Sequence, residues 1–248
     1  MRKSFQMVIL LIIFTLLFSS GAIAKSDNAK KSLVALGDSI PYGYNLGSNE
    51  EPSRLAFPYL IGEEANLRVR NLAVPGWKTE DMLNALQNDQ KYRQAVRHAD
   101  YITLNIGSND LLLALQIASS QCVDQIQFQQ CLFEIIGDSA FFTNLNKILH
   151  EINLLSDAQI VVYNIYYPFR SDDPIRGHLN HVGLQVLPSI NDQIASISFN
   201  KASIADAFNA FVIGSDNPGA NVILGDIHPS IEGHQVLADI GLEGLGFK

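Results

Sequence analysis

From residue 32 onward, short apolar runs alternate with stretches in which apolar residues recur every three or four positions. Residues 32–36, 67–73, 101–106 and 159–165 have the length and composition of buried strands, and 202–205 is a weaker fifth. Residues 55–65, 79–86, 141–155 and 188–199 have helical patterning; in the third, Leu145, Ile148, Leu149, Ile152 and Leu155 share one face. A final helix is predicted over 231–240. Strand–helix alternation predicts an α/β domain whose parallel sheet is covered on both faces. Right-handed crossovers bring the C-terminal ends of all strands to one edge, and ligands of such sheets bind outside that edge.

The residues that follow each strand therefore converge. The first strand runs into Gly37-Asp38-Ser39, the second into Val74-Pro75-Gly76 and the third into Gly107-Ser108-Asn109-Asp110. Gly76 follows Ser39 by 37 residues and Asn109 follows Gly76 by 33, each about one strand–helix–strand repeat. Near the C-terminus, Gly225-Asp226-Ile227-His228-Pro229 supplies a histidine just before the last helix. A serine hydroxyl needs a base within hydrogen-bond reach to become a nucleophile. An acyl-transfer site also needs donors for the oxyanion. The Ser39 N–H, the Gly76 N–H and the Asn109 amide are the candidates, and glycine at 76 lets the backbone approach a ligand closely.

These four blocks, in this order and spacing, resemble those of the GDSL/SGNH hydrolases over nearly all of residues 32–240. The resemblance implies a three-layer α/β/α, flavodoxin-like fold with a parallel sheet of about five strands. It also implies ester hydrolysis without metal or cofactor, and places Ser39, Gly76, Asn109 and His228 at the family's four named positions. The cysteine pair after the third block and Tyr166-Tyr167-Pro168-Phe169 after the fourth strand resemble a secreted bacterial branch with lipase- and esterase-like members. One position departs from the pattern. The family places an acid three residues before the histidine, where this chain has Gly225; Asp226 stands two before. In an extended segment side chains two apart share a face, so Asp226 is expected to reach the imidazole and hold its tautomer. The alternative is a backbone carbonyl near Gly225 in that role.

Other polar residues have plainer expectations. Asp38 is expected to cap a turn and Asp110 the helix that begins there. His234 on the last helix and Asp206 after the fifth strand are expected to be structural. His98 and His150 are expected at helix ends or on the surface. His178 and His181 are expected in a solvated loop, with a place along the substrate pocket as the alternative. Trp77 is either a packing residue or part of the pocket rim.

Composition narrows the function. The 248 residues are 47% hydrophobic and 17% charged, which excludes a disordered chain. Acids outnumber bases 25 to 17 with no basic cluster, which argues against nucleic-acid binding. Residues 1–24 begin with Arg2 and Lys3, continue in an apolar run and end in Ala22-Ile23-Ala24, the pattern of a signal peptide cleaved after Ala24. The apolar run is shorter than the ~20 residues that span a membrane, which argues against a stable anchor. Residues 25–31 then form a linker and 32–248 one hydrolase domain. Cleavage takes the net charge from −8 to about −10. Export permits a disulfide, and Cys122 and Cys131 are expected to pair; neither has metal-site or redox-motif spacing. The long connection over 111–137 is expected to form a disulfide-pinned cap.

The expected function is that of a secreted, monomeric carboxylic-ester hydrolase of lipase, acyl-ester or lysophospholipid type. Its acyl-enzyme forms on Ser39 with His228 as base, and its substrate is a small-molecule or lipid ester. The alternatives are an O-acetylesterase of polysaccharide or cell wall and, last, an inactive binding protein on the same fold.

Overall fold

The computed structural model describes residues 30–122, 125–212 and 218–248. The expected signal peptide and most of the expected linker lie outside these residues. Five strands form one sheet: β1 (Ser32–Gly37), β2 (Arg68–Asn71), β3 (Tyr101–Asn105), β4 (Gln159–Tyr163) and β5 (Ser203–Ala205). They are parallel and ordered β2-β1-β3-β4-β5, the flavodoxin-like order with its switch point between β1 and β3.

The apolar runs form central strands because both faces are covered. All six residues of β1 are buried. Leu33 packs with Phe57 and Ile61, while Val34 and Leu36 face the opposite layer with Met82 and Leu86. In β4, Val161 and Tyr163 join the first group and Ile160 and Val162 the second, as the two-residue period requires. The edge strand β2 carries Arg68 and Arg70 outward, which blunts its open edge.

One helical layer holds α2 (Phe57–Glu64), α9 (Ala207–Val212) and α10 (Ile231–Gly244). The other holds α3 (Thr79–Asn88), α4 (Gln90–Arg97), α5 (Ser108–Gln121), α6 (Gln125–Asp138), α7 (Phe141–Leu155) and α8 (Asn180–Ser198). A single turn, α1 (Ser39–Tyr42), follows β1. In α7 the buried set Phe141, Leu145, Ile148, Leu149 and Ile152 follows the expected face, and each such side chain contributes ~1.5–3 kcal/mol of burial.

One helix boundary changes. The helix expected to start at Pro188 begins eight residues earlier, at Asn180, and holds Pro188 in its interior. Proline leaves one carbonyl of the preceding turn unpaired, and Leu184 and Pro188 are both exposed, so water can serve it. The connection after β3, expected as a disulfide-pinned cap, is the helical hairpin α5–α6, with Cys122 just past α5 bonded to Cys131 in α6.

Candidate active site

The switch point builds one side of the site. Gly37 turns the chain out of β1 at φ 152, where a Cβ would lie 2.0 Å from the Asn105 carbonyl oxygen; only glycine fits. Asp38 then caps α1, its Oδ1 accepting from the Ile40 N–H at 3.0 Å, and Ser39 opens the turn. Asp38 is fully buried, and its Oδ2 has no partner among the described residues. Burial pushes this carboxyl up to about 7, opposed by the Ile40 N–H and aided by the neighbouring Asp110.

The histidine arrives on a small hairpin ahead of α10. Val222 bridges Pro229, the Ile223 N–H donates to the His228 carbonyl at 3.0 Å, and Gly225 takes φ 77 at the bend. His228 Nε2 lies 2.9 Å from Ser39 Oγ, and His228 Nδ1 lies 2.8 Å from Asp226 Oδ1. An ionised carboxylate only accepts, so Nδ1 carries the proton and Nε2 is left to accept from the serine hydroxyl. The acid two residues before the histidine thus reaches the ring, as the shared-face argument requires. Asp226 also accepts from the Ile227 N–H at 2.6 Å and from Asn45 Nδ2 at 2.6 Å. Partial burial raises its pKa; bonds from Asn45, Ile227 and His228 outweigh that and hold the carboxyl below the usual range.

Asn109 lies in the first turn of α5, and its Nδ2 donates to the Trp77 carbonyl at 2.9 Å. That bond ties it to the turn carrying Gly76, which is exposed at φ 83 with open space where a Cβ would stand. The same turn is fixed to β1, the Val74 N–H donating to the Gly37 carbonyl at 3.0 Å. Asn71 locks it from below, donating to the Pro41 carbonyl at 2.6 Å and accepting from the Ala73 N–H at 3.0 Å.

Ser39, Asn109 and His228 line one concave, predominantly apolar cavity, the form of a small-molecule site. Gly76 does not line it. The cavity runs from Ser39 between the α5–α6 hairpin and α8, past Leu112, Leu132, Ile136, Val186 and Leu187. Among the described residues, no Asp, Glu, Lys or Arg lines it.

The remaining polar residues separate from this group. Asp110 does not cap its own helix. It accepts from the Thr79 N–H at 3.0 Å and the Thr79 hydroxyl at 2.7 Å, capping α3 instead. Asp206 accepts from Asn164 and Asn209 at the start of α9. His234 is buried with its Nδ1 facing the Phe57 N–H at 3.2 Å. His98, His150, His178 and His181 are exposed, and His181 opens α8 rather than sitting in a loop. Trp77 is half-buried against Tyr92, ring centroids 5.4 Å apart.

Sequence reasoning missed the residues that grip the histidine hairpin. Tyr166 donates its hydroxyl to the Ile227 carbonyl, and Arg176 donates to the Gly225 carbonyl at 2.6 Å. The Tyr44 ring lies 5.2 Å from that of His228. Tyr166 stood out only as part of the block after the fourth strand, and Asn-Leu-Gly-Ser-Asn over 45–49 only as a turn; neither pattern says what it touches.

A serine, an imidazole and a carboxylate in sequence, beside an amide and at the mouth of an apolar cavity, define a site suited to acyl transfer. A profile of the GDSL-like Lipase/Acylhydrolase family matches residues 35–236. The chain belongs to that family and is a carboxylic-ester hydrolase of the GDSL/SGNH type. It is similar to the uncharacterized protein YpmR of Bacillus subtilis (strain 168), 31% identical over 102 residues, a match spanning 41% of this chain and 37% of that protein. Its fold is similar to that of the lipase Lip_vut3 from a goat rumen metagenome, with TM-score 0.68 and 22% identity over 88% of this chain and 98% of that one. It is likewise similar to phospholipase A1 from Streptomyces albidoflavus NA297 (TM-score 0.63, 19% identity, 87% and 100% covered). A third similar fold is the acetylxylan esterase Axe2 from Geobacillus stearothermophilus (TM-score 0.56, 18% identity, 88% and 95% covered).

Proposed function

We propose that this protein is a secreted serine esterase acting on esters of medium or long acyl chains, with Ser39 as nucleophile and His228 as general base. The observation that carries the reading is the chain of contacts from Ser39 Oγ through His228 to Asp226, at 2.9 and 2.8 Å, opening onto an apolar cavity. Ser39 attacks the ester carbonyl while His228 Nε2 takes its proton. The imidazolium then gives that proton to the departing alkoxide, leaving an acyl-enzyme. Water, deprotonated by the same ring, releases the acid. Asp226 stabilises the imidazolium without itself taking the proton. The Ser39 N–H, the Gly76 N–H and the Asn109 amide serve the oxyanion; the Asn109 bond to Trp77 fixes one N–H and leaves the other to donate.

The cavity favours acyl-ester over acetyl-ester substrates. Its apolar lining extends from Ser39 to Leu132, Ile136, Val186 and Leu187, and each methylene of a longer acyl chain buried along it contributes about 0.8 kcal/mol. The N-terminal pattern of residues 1–24 supports export of the mature chain from Lys25 onward.

The test is a hydrolysis profile over C2 to C16 p-nitrophenyl esters and acetylated xylan, run beside Ser39→Ala. A profile peaking beyond C4, with Ser39→Ala inactive, is the expected result. Undiminished turnover by Ser39→Ala refutes the nucleophile, and preference for acetylated xylan refutes the substrate class. N-terminal sequencing of chain recovered from the medium tests export.

A further inference from the structure

The acid two residues before His228 reaches the ring, but a side chain only two positions away has little freedom to choose its orientation. Its Oδ1 is shared between His228 Nδ1 and the Ile227 N–H, at 2.8 and 2.6 Å. What fixes the other oxygen decides whether the carboxylate stays in line with the ring. That partner comes from 181 residues away: Asn45 Nδ2 meets Asp226 Oδ2 at 2.6 Å.

The segment that delivers Asn45 is built for this aim. Asn45 and Asn49 both take left-handed backbone, φ 67 and 61, a conformation that costs energy for any residue with a side chain. The two asparagines bond reciprocally. The Asn45 N–H donates to Asn49 Oδ1 at 2.7 Å, and Asn49 Nδ2 donates to Asn45 Oδ1 at 3.1 Å. Tyr42, at the end of α1, donates its hydroxyl to the Asn49 carbonyl at 3.0 Å. With Asn45 Oδ1 accepting from Asn49, its Nδ2 must face outward, toward the carboxylate. The turn that follows the nucleophile thus reaches across to the acid.

We infer that Asn45 is a positioning residue of the reaction: its amide holds Asp226 so that Oδ1 faces His228 Nδ1, in place of the one-residue-longer spacing usual for the family. The inference rests on the reading of Ser39, His228 and Asp226 as the reacting set. Asn45 touches neither the nucleophile nor the cavity and acts only through the carboxylate.

The test is a double-mutant cycle on the full chain with p-nitrophenyl butyrate. Asn45→Gly keeps the left-handed backbone accessible while removing the amide. It is expected to lower kcat about tenfold, the loss of one hydrogen bond to a charged group, with KM within about twofold. In an Asp226→Ala background, Asn45→Gly is expected to change kcat by less than about twofold, because its partner is already gone. The low-field proton NMR signal of His228 Nδ1–H gives an independent readout and is expected to move upfield in Asn45→Gly. An equal loss in both backgrounds, or unchanged kcat and an unmoved signal, overturns the inference. Ser39→Ala run alongside separates the failures: if it stays active the underlying reading fails, and if it is dead while Asn45→Gly is normal only the role of Asn45 falls.

Discussion

Asn109 donates its side-chain amide to the Trp77 carbonyl at 2.9 Å, so the residue after β3 is braced by the turn after β2. The bond leaves the second N–H of the same nitrogen aimed by a fixed group rather than by a free rotor. Pre-aimed donors cost no reorganisation when charge develops on the carbonyl oxygen. Asn109→Ala is therefore expected to lower kcat ~10²–10³-fold, with KM little changed. Steady-state kinetics on p-nitrophenyl butyrate decide it; a loss under tenfold would remove Asn109 from the oxyanion site.

The cavity makes a second prediction. Leu112 lines it from α5 and is half-buried, so a larger side chain there has room to turn without breaking the core. Leu112→Trp is expected to lower kcat/KM for C8 and longer esters at least tenfold relative to C2, the scale of ~1–3 kcal/mol for lost pocket contacts. Equal loss on all chain lengths would show that the cavity does not hold the acyl group.

The bond between Cys122 and Cys131 holds α5 to α6, and Leu132 and Ile136, on α6, face the cavity. Replacing both cysteines by serine is expected to lower stability by somewhat under ~3 kcal/mol for so short a loop. It should also reduce long-chain turnover more than acetate turnover. Chemical denaturation and the ester profile read the two effects separately. An unchanged chain-length preference would leave the pair a purely stabilising one.

Asp38 yields a stability prediction whose sign is fixed by its burial. Its pKa rises from an ordinary 3.8 to about 7 in the fold. Between these values the folded chain keeps a proton that the unfolded chain has released, so this group's contribution falls as pH rises from about 4 to about 7. His234 works the opposite way: burial, with His228 adding to it, pushes its imidazole down to about 3, so stability is lost as pH falls below ~6.5. The two trends offset in the wild-type curve. The difference between Asp38→Asn and wild type isolates Asp38, and the variant is expected to gain on the order of a few kcal/mol between pH 4 and 8. Urea midpoints at several pH values measure it.

The parts legible in the sequence are those fixed by local pattern. Buried parallel strands are apolar on both faces, so β1, β3 and β4 stand out as runs, and topology alone brings Ser39, Gly76 and Asn109 to one edge; His228 is placed there by the family resemblance. Other parts were hidden for definite reasons. In α4 only Tyr92, Ala95 and Val96 are buried among polar residues, too few to show a period. Pro188 masks the first half of α8 because its lost hydrogen bond falls on the solvent side. In α5 only Ala114 and Ala118 are buried, while larger apolar side chains face the cavity, so no single stripe appears. Contacts such as Asp110 with Thr79, or Asn45 with Asp226, join residues 31 and 181 positions apart, and nothing periodic announces them.

Ser39 and His228 are separated by 189 residues, and α10 follows the hairpin bearing the histidine. During synthesis the hydroxyl at 39 therefore emerges well before the imidazole that the proposed mechanism gives it as a base. Chains stopped before residue 228 are expected to stay unlabelled by a fluorophosphonate that marks the full-length protein; labelling of such a fragment would show that the serine is reactive without its base.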